Sequence, residues 1–315
     1  MRNILFVPSV PDTEWLREIL PDMSPAELPV AGLRILDYAV DHAQQCGFSF
    51  LEVLDWHYSG RIAKDFSDLT STSVPVFYQR GEGELPQGLD DLAKQSSPLT
   101  QTIDDGLSVV WGLYLTDLDN KDARLEPVAP EDCARTPMGA YRRIDGRWMR
   151  LLPHGLAVNG VKAWHSMNLA ILYEPGSFTL PGYSAEKGVY LGRNVVMEHG
   201  VEAKPPVLLQ DDTWCARNVV LDGDVIVGKG SFISEGARLR RTVVGDDTYI
   251  GLGLDLTDKI VIGRRVIDVE SGAWIDISER GIARLIGGGS LNWKNWKWLR
   301  AVVDFVHGKS RGRSA

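Results

Sequence analysis

The sequence predicts an α/β protein in three parts: a sheet domain over residues 1–180, a left-handed parallel β-helix over 181–280, and a hinge with a basic amphipathic helical tail over 281–315. Three observations predict it. A six-residue period of apolar side chains runs from Leu191 to Leu239, a strand–helix–strand pattern opens the chain between Asn3 and Leu54, and tryptophans and aliphatic residues recur at helical spacing after residue 290.

The period is read at steps of six: Leu191, Met197, Ala203, Leu209, Cys215, Leu221, Val227, Ile233 and Leu239 are all apolar. Four residues after each stands a small or β-branched residue: Val195, Val201, Val207, Thr213, Val219, Val225, Ser231, Ala237 and Val243. In a parallel β-helix each hexad forms one short strand and a turn, and three hexads close a triangular coil. The large side chain fills the coil and the small one lies near the corner, where bulk would collide. Stacked coils then share one continuous core. After Leu239 the register slips by one and resumes at Val244, Ile250 and Leu256, with extra residues expected in Gly251–Leu254. The register slips again near Val261–Ile267, where VIGRRVID (261–268) reads as one more coil. An ordinary antiparallel β domain is the alternative, but antiparallel strands do not hold a six-residue period.

The front of the chain reads as a βαβ unit. Asn3–Val7 is an apolar strand, Ile35–Cys46 carries helical spacing and stops at Gly47, and Phe50–Leu54 is the next strand. Two parallel strands joined through a helix imply a parallel sheet with a right-handed crossover.

Bulk properties set the limits. A chain of 315 residues accommodates two cores. Its 44% hydrophobic and 24% charged content is that of a soluble globular protein. A net charge of −8 argues against general nucleic-acid binding, which needs a basic surface. Cys46, Cys133 and Cys215 are too far apart to read as a CxxC site or a disulfide framework. The start MRNILFVPSV lacks the features of a secretion signal, and no uninterrupted apolar run reaches membrane-spanning length, so a cytoplasmic location is expected.

The stretch AELPVAGLRILDYAVDHAQQCGFSFLEVLD (26–55) resembles the segment lPV-x-G-x-P-L-x-x-Y-x-l-e-x-l-x-x-x-G-i-x-e-i of the nucleotide-sugar pyrophosphorylases. IDDGLSVVWGLYLTD (103–117) is similar to the central strand of that family, and VKAWHSMNLAIL (161–172) to its closing W-x-D-i-g-T…a-N-x-x-i-L segment. The resemblance covers most of residues 1–280. It implies a Rossmann-like nucleotidyltransferase-type mixed sheet ahead of the β-helix, and a place in nucleotide-sugar and polysaccharide biosynthesis.

Against that family the chemistry-bearing positions differ. The family cradles a triphosphate on the backbone N–H groups of a glycine-rich loop and on a basic residue. Here the loop after the first strand is PSVPDTEW (8–15), with no glycine, two prolines that lack N–H donors, and the acidic Asp12 and Glu14. The family lysine falls on Ala26 of Pro25-Ala26-Glu27. The first Mg²⁺ carboxylate, in a Gly-Asp pair, falls on Leu113 of Gly112-Leu113, and the second, in W-x-D, on Ser166. Losing the metal alone removes several kcal/mol of transition-state stabilisation, about a thousandfold in rate.

The resemblance with these departures implies a degenerate member: a regulatory or scaffolding subunit that binds a nucleotide sugar without turning it over. Pro8, Ser9, Gln79, Arg80 and Gly112 are the positions where it would touch that ligand. No cofactor is expected, and Mg²⁺ only with catalysis. The expected partners are further copies of the chain, an active pyrophosphorylase or a glycan-assembly enzyme, and no nucleic acid. Two alternatives stay open. Asp117, just past the central strand in Thr116-Asp117-Leu118-Asp119-Asn120, is a metal ligand if the domain is an active, divergent nucleotidyltransferase; otherwise that stretch is a solvated turn. His199 is the general base if the β-helix is a hexapeptide acyltransferase; otherwise it is an exposed turn residue.

The tail follows Gly287-Gly288-Gly289. Trp293, Trp296, Leu299, Val303 and Val306 share one helical face, and six Lys and Arg residues against Asp304 give it a net charge of about +5. Such a helix either lies in an anionic membrane interface through residues 291–306, on the inner membrane face, or closes the open end of the β-helix or packs on another subunit.

Overall fold

The computed structural model describes residues 3–60, 62–64, 74–94, 107–116, 124–152, 155–173, 180, 183–186 and 188–277. The chain divides into two compact units, Met1–Leu180 and Pro181–Ala315.

The first unit is built on a seven-stranded mixed sheet. Its strands are β1 (Asn3–Val7), β2 (Phe50–Asp55), β3 (Val76–Arg80), β4 (Ser108–Trp111), β5 (Arg124–Pro127), β6 (Gly139–Ile144) and β7 (Arg147–Leu152), in the order β3-β2-β1-β4-β6-β7-β5. Strands β3, β2, β1 and β4 run parallel. The other three are antiparallel. Side chains on both faces of β1, β2 and β4 are buried, which is why β1 and β4 read as nearly continuous apolar runs and not as alternating ones, while β2 also buries Glu52 and Asp55. The parallel pairing of β1 with β2 requires a crossover, supplied by helix α1 (Ile35–Gln45). The Asp37 carboxylate accepts from the Arg34 backbone N–H at 2.9 Å, which satisfies one of the free donors at the helix start. Gly47, at φ +65°, ends it.

Helix α2 (Val161–Tyr173) is the second large element of this unit. Trp164 Nε1 donates to the Pro29 carbonyl at 2.7 Å, and Asn168 Oδ1 accepts from the Ala31 N–H at 2.7 Å. Together they pin the tight Pro29–Val30/Leu33–Arg34 ribbon, whose turn holds Ala31 at φ +45°. Two stretches more than a hundred residues apart thus meet on two hydrogen bonds, one buried and one partly so.

The second unit is made of three sheets whose repeating strands are parallel, the first flanked by antiparallel strands, Tyr183–Glu186 at one edge and Arg265–Asp268 and Trp274–Asp276 at the other. The first carries Val189–Leu191, Val207–Leu209, Val225–Val227, Thr242–Val244 and Lys259–Ile262. The second carries Val196–Met197, Trp214–Cys215, Phe232–Ile233 and Tyr249–Ile250, and the third Glu202–Lys204, Val220–Asp222, Arg238–Arg240 and Asp255–Thr257. The chain visits the three in rotation. It returns to the same sheet after 18 residues, pairing Leu191 with Leu209 and Leu209 with Val227. Leu209, Cys215, Leu221, Val227, Ile233 and Leu239 form one fully buried core. Met197 stands in the same column yet is 38% exposed, because among the described residues its strand, Val196–Met197, has a paired neighbour on one side only.

The register slip after Leu239 is a deleted residue, not an insertion in Gly251–Leu254. Gly223 and Asp224 join the third sheet to the first in one coil, whereas Arg241 alone does so in the next and Asp258 in the one after. Both single residues sit in the left-handed region, at φ +45° and +53°, and Arg241 Nε donates to the Asp258 carboxylate at 2.6 Å. Val227 therefore pairs with Val244, and Leu239 with Leu256. The small-residue column consequently ends on Thr242, which faces Val225, and Val243 turns outward. VIGRRVID does not form another coil. Gly263, at φ +56°, folds the chain back, so Arg265–Asp268 runs antiparallel to Lys259–Ile262, and Trp274–Asp276 antiparallel to that. A two-residue loop holding a glycine is a hairpin connection, which a six-residue count cannot distinguish from a coil corner.

The difference between Leu221 and Met197 is testable. Leu221→Ala removes a fully buried side chain and should cost about 2–5 kcal/mol, whereas Met197→Ala should stay within about 0.5 kcal/mol. Urea denaturation of the two variants against the parent checks both.

Candidate functional site

In open α/β sheets, ligands bind outside the carboxyl ends of the parallel strands, where the strand order reverses direction. Here that edge is formed by Pro8–Val10 after β1, Trp56 and His57 after β2, Gly81 after β3, and Gly112 and Leu113 after β4.

Its centre is Asp55, the last residue of β2, which has no solvent exposure. Oδ1 accepts from the Ser9 hydroxyl and from the His57 backbone N–H at 2.9 Å. Oδ2 accepts from the Ser24 hydroxyl and from the Tyr78 phenol at 2.8 Å. Four donors are what a buried carboxylate needs to offset lost hydration. Burial, and next the negative charge of Asp55, push the Tyr78 phenol well above its ordinary pKa, so it stays a donor at neutral pH. Tyr78 in turn accepts from the Ser59 N–H at 3.0 Å, and its ring stacks on Tyr58 at 4.9 Å.

A second chain of contacts leads outward. His57 Nδ1 lies 2.9 Å from Ser9 Oγ, and Nε2 lies 3.6 Å from Glu14 Oε1. Serine, imidazole and carboxylate in that order invite comparison with a nucleophilic triad. The geometry argues otherwise, because Ser9 is fully buried and its hydroxyl proton is directed to Asp55. The group is a tether: it holds the loop after β1 to the end of β2.

The crevice on the other side of β1 is filled. Gly112 donates to the Val7 carbonyl at 2.8 Å and sits at φ +78°. A Cβ at this position would lie 2.4 Å from Met138 Cγ and 3.0 Å from Val10 Cγ2. Met138, Val10 and Leu113 are themselves buried. The space between the ends of β1 and β4 is therefore occupied by side chains.

The residues singled out from the sequence are placed as follows. Pro8, Ser9 and Gly112 reach the carboxyl edge of the sheet but are buried. Gln79, half-buried, and Arg80, exposed, end the edge strand β3 beside Asp55. Ala26 has no solvent exposure and lies in the Pro25–Glu27 turn. Ser166 is exposed on α2, between the buried His165 and Met167. His199 is exposed in a turn between the second and third sheets. Asp117, Asp119 and the tail 291–306 lie outside the described residues. Sequence reasoning missed Asp55, Ser24, His57 and Tyr78. The available signal was Asp55 itself, a charge ending the apolar run Phe50–Leu54.

Among the described residues no group of three or more His, Cys, Asp or Glu is placed to hold a metal ion. No described helix is long and apolar enough to cross a membrane.

No family pattern matches the chain. Over 124 residues it is 29% identical to a UTP–glucose-1-phosphate uridylyltransferase of Synechocystis sp., a match covering 39% of this chain and 32% of that protein. The match thus spans about a third of that relative's length, and the relationship it supports is a nucleotidyltransferase-like one.

Two substitutions probe the edge. Asp55→Ala strands the Ser9, Ser24 and Tyr78 hydroxyls without their acceptor and should cost about 3–5 kcal/mol, with Asp55→Asn falling between it and the parent. Gly112→Ala should be destabilising, and Met138→Ala should relieve part of the loss, a coupling of about 1 kcal/mol or more in a double-mutant cycle. Chemical denaturation of each variant measures both.

Proposed function

We propose that the first unit is a nucleotidyltransferase-type domain whose catalytic crevice has closed, and that the second is a left-handed parallel β-helix serving as an assembly surface. The protein would then be a regulatory or scaffolding subunit of nucleotide-sugar and polysaccharide biosynthesis. One observation carries this reading: Val10, Leu113 and Met138 are buried at the ends of β1 and β4, where a triphosphate would have to be cradled. Opening the crevice means exposing these side chains, at about 1.5–3 kcal/mol each. Pro8 and Pro11 would still bring no N–H to the phosphates.

The similarity to a uridylyltransferase supports the ligand class. The amide of Gln79 and the guanidinium of Arg80, at the open end of β3, are the groups proposed to meet the diphosphate of a nucleotide sugar. The handedness rests on the hexad pattern, in which a small residue at each corner permits the tight turn.

Calorimetry with UDP-glucose, and pyrophosphate release from UTP with glucose-1-phosphate and Mg²⁺, test the proposal together. Expected are saturable binding, weakened about tenfold by Arg80→Ala through loss of a charge-assisted contact, and no metal-dependent pyrophosphate release. Metal-dependent turnover would overturn the non-catalytic reading in favour of an active, divergent transferase.

A further inference from the structure

The seven-stranded sheet of the first unit ends on an open strand whose side chains complement a second copy of itself. Strand β5 lies at the end of the strand order, and all four of its residues are exposed. One side of it is used. It pairs antiparallel with β7, setting Leu125 opposite Leu151 and Glu126 opposite Arg150. Just past the strand, the Val128 N–H donates to the Trp148 carbonyl at 3.0 Å. Successive residues of a strand turn their backbone groups to opposite sides, so Glu126 and Arg124 also face β7, and the N–H and C=O of Leu125 point away from the sheet. Among the described residues no strand pairs with β5 on that side. An open edge is a template for another strand, and its side chains decide which one.

Arg124 and Glu126 lie on one face of β5, Leu125 and Pro127 on the other. Let two copies meet antiparallel about a two-fold axis at Leu125. Each Leu125 then donates its N–H to the carbonyl of the other. Arg124 of each copy stands opposite Glu126 of the other, giving two cross-strand pairs of opposite charge. Glu126 has Arg150 opposite it on β7, so charges alternate along the row from Arg150 through Glu126 to Arg124 across the axis. On the other face Leu125, 39% exposed beside the buried Leu151, meets its own copy.

The neighbouring registers fail. An axis at Glu126 sets carboxylate on carboxylate, and one at Arg124 sets guanidinium on guanidinium. An axis at Pro127 calls for an N–H that proline lacks. Charge and proline thus leave one register, and it is isologous, so pairing stops at two copies instead of running on as a fibre.

We propose that β5 is a dimer edge, joining two copies of this chain through Arg124–Glu126 into one continuous sheet. The proposal stands whether or not the first unit turns over a substrate. The ladder is short and its ion pairs are at the surface, so the dimer is reversible and sensitive to salt.

The test uses the full chain. Sedimentation velocity from low-micromolar to sub-millimolar protein should show a monomer–dimer equilibrium that weakens as salt is added. Arg124→Glu or Glu126→Arg alone should weaken self-association about tenfold or more, since each sets like charges at both pairs. An equimolar mixture of the two variants should recover the dimer as a heterodimer, because every Glu then faces an Arg; circular dichroism verifies that each variant is folded. Leu125→Cys gives a second readout that leaves the charges untouched, made with Cys46→Ser and Cys133→Ser because those thiols are partly exposed. Facing residues in this register have Cα atoms about 5.5 Å apart, within disulfide reach, so mild oxidation should join position 125 to position 125. A chain that stays monomeric throughout, a dimer indifferent to both charge reversals, or variants that fail to pair on mixing would each overturn the proposal. So would a Leu125 amide as protected from hydrogen exchange in dilute monomer as in concentrated protein, for the edge would then be occupied by its own chain.

Discussion

Asp55 is the interaction on which the first unit's carboxyl edge depends. It is a buried carboxylate, and its charge is tolerable only because donors from four separate segments converge on it: the loop after β1, the turn before Pro25, the start of the segment after β2, and β3. Each donor arrives with its own piece of backbone. The result is that the loop after β1 is held against the carboxyl ends of β2 and β3. On the other side of β1, Met138 and Val10 fill the space beside Gly112 at the end of β4.

The second unit answers to a different constraint. Three parallel sheets visited in rotation require the chain to turn every few residues, and each turn must place its neighbours over those of the previous coil. The stack tolerates the one-residue deletion because it falls at a corner: Arg241 alone replaces the Gly223–Asp224 connection, and Val244, Ile250 and Leu256 still lie over Val227, Ile233 and Leu239. Arg241 and Asp258 shorten consecutive coils at the same corner and are joined by a hydrogen bond. The hydroxyls of Thr213, Ser231 and Thr248 are also buried along one corner, where Ser231 donates to the Gly245 carbonyl and accepts from the Thr248 N–H. Small polar side chains suit this position because the backbone groups beside them supply the partners.

The two parts differ in how much of them was legible. The interior column from Leu209 to Leu239 could be read residue by residue, because a six-residue period reports burial directly. The slip was visible as a change of register, but its cause was not, since a deleted turn residue and a bulged loop produce the same offset at a distance. The hairpin at Gly263 was misassigned for a related reason: periodicity counts residues and carries no direction. In the first unit the strand, helix and strand at the front were legible from apolar runs and from Gly47. The network around Asp55 was not, because its members, at positions 9, 24, 55 and 78, are separated by loops and helices that only the sheet order brings together.

By itself the sequence determined the local grammar of this protein: a mixed α/β start and a repeating coil with a defined interior column. Those properties depend on residue type and spacing along the chain, which is what a sequence records. Tertiary structure decided whether the candidate positions could reach a ligand. Ser9 and Gly112 do lie at the carboxyl edge of the sheet, yet both are buried, one committed to Asp55 and the other pressed against Met138. Accessibility depends on what other segments deliver to the same place, and that is settled by packing across the whole fold.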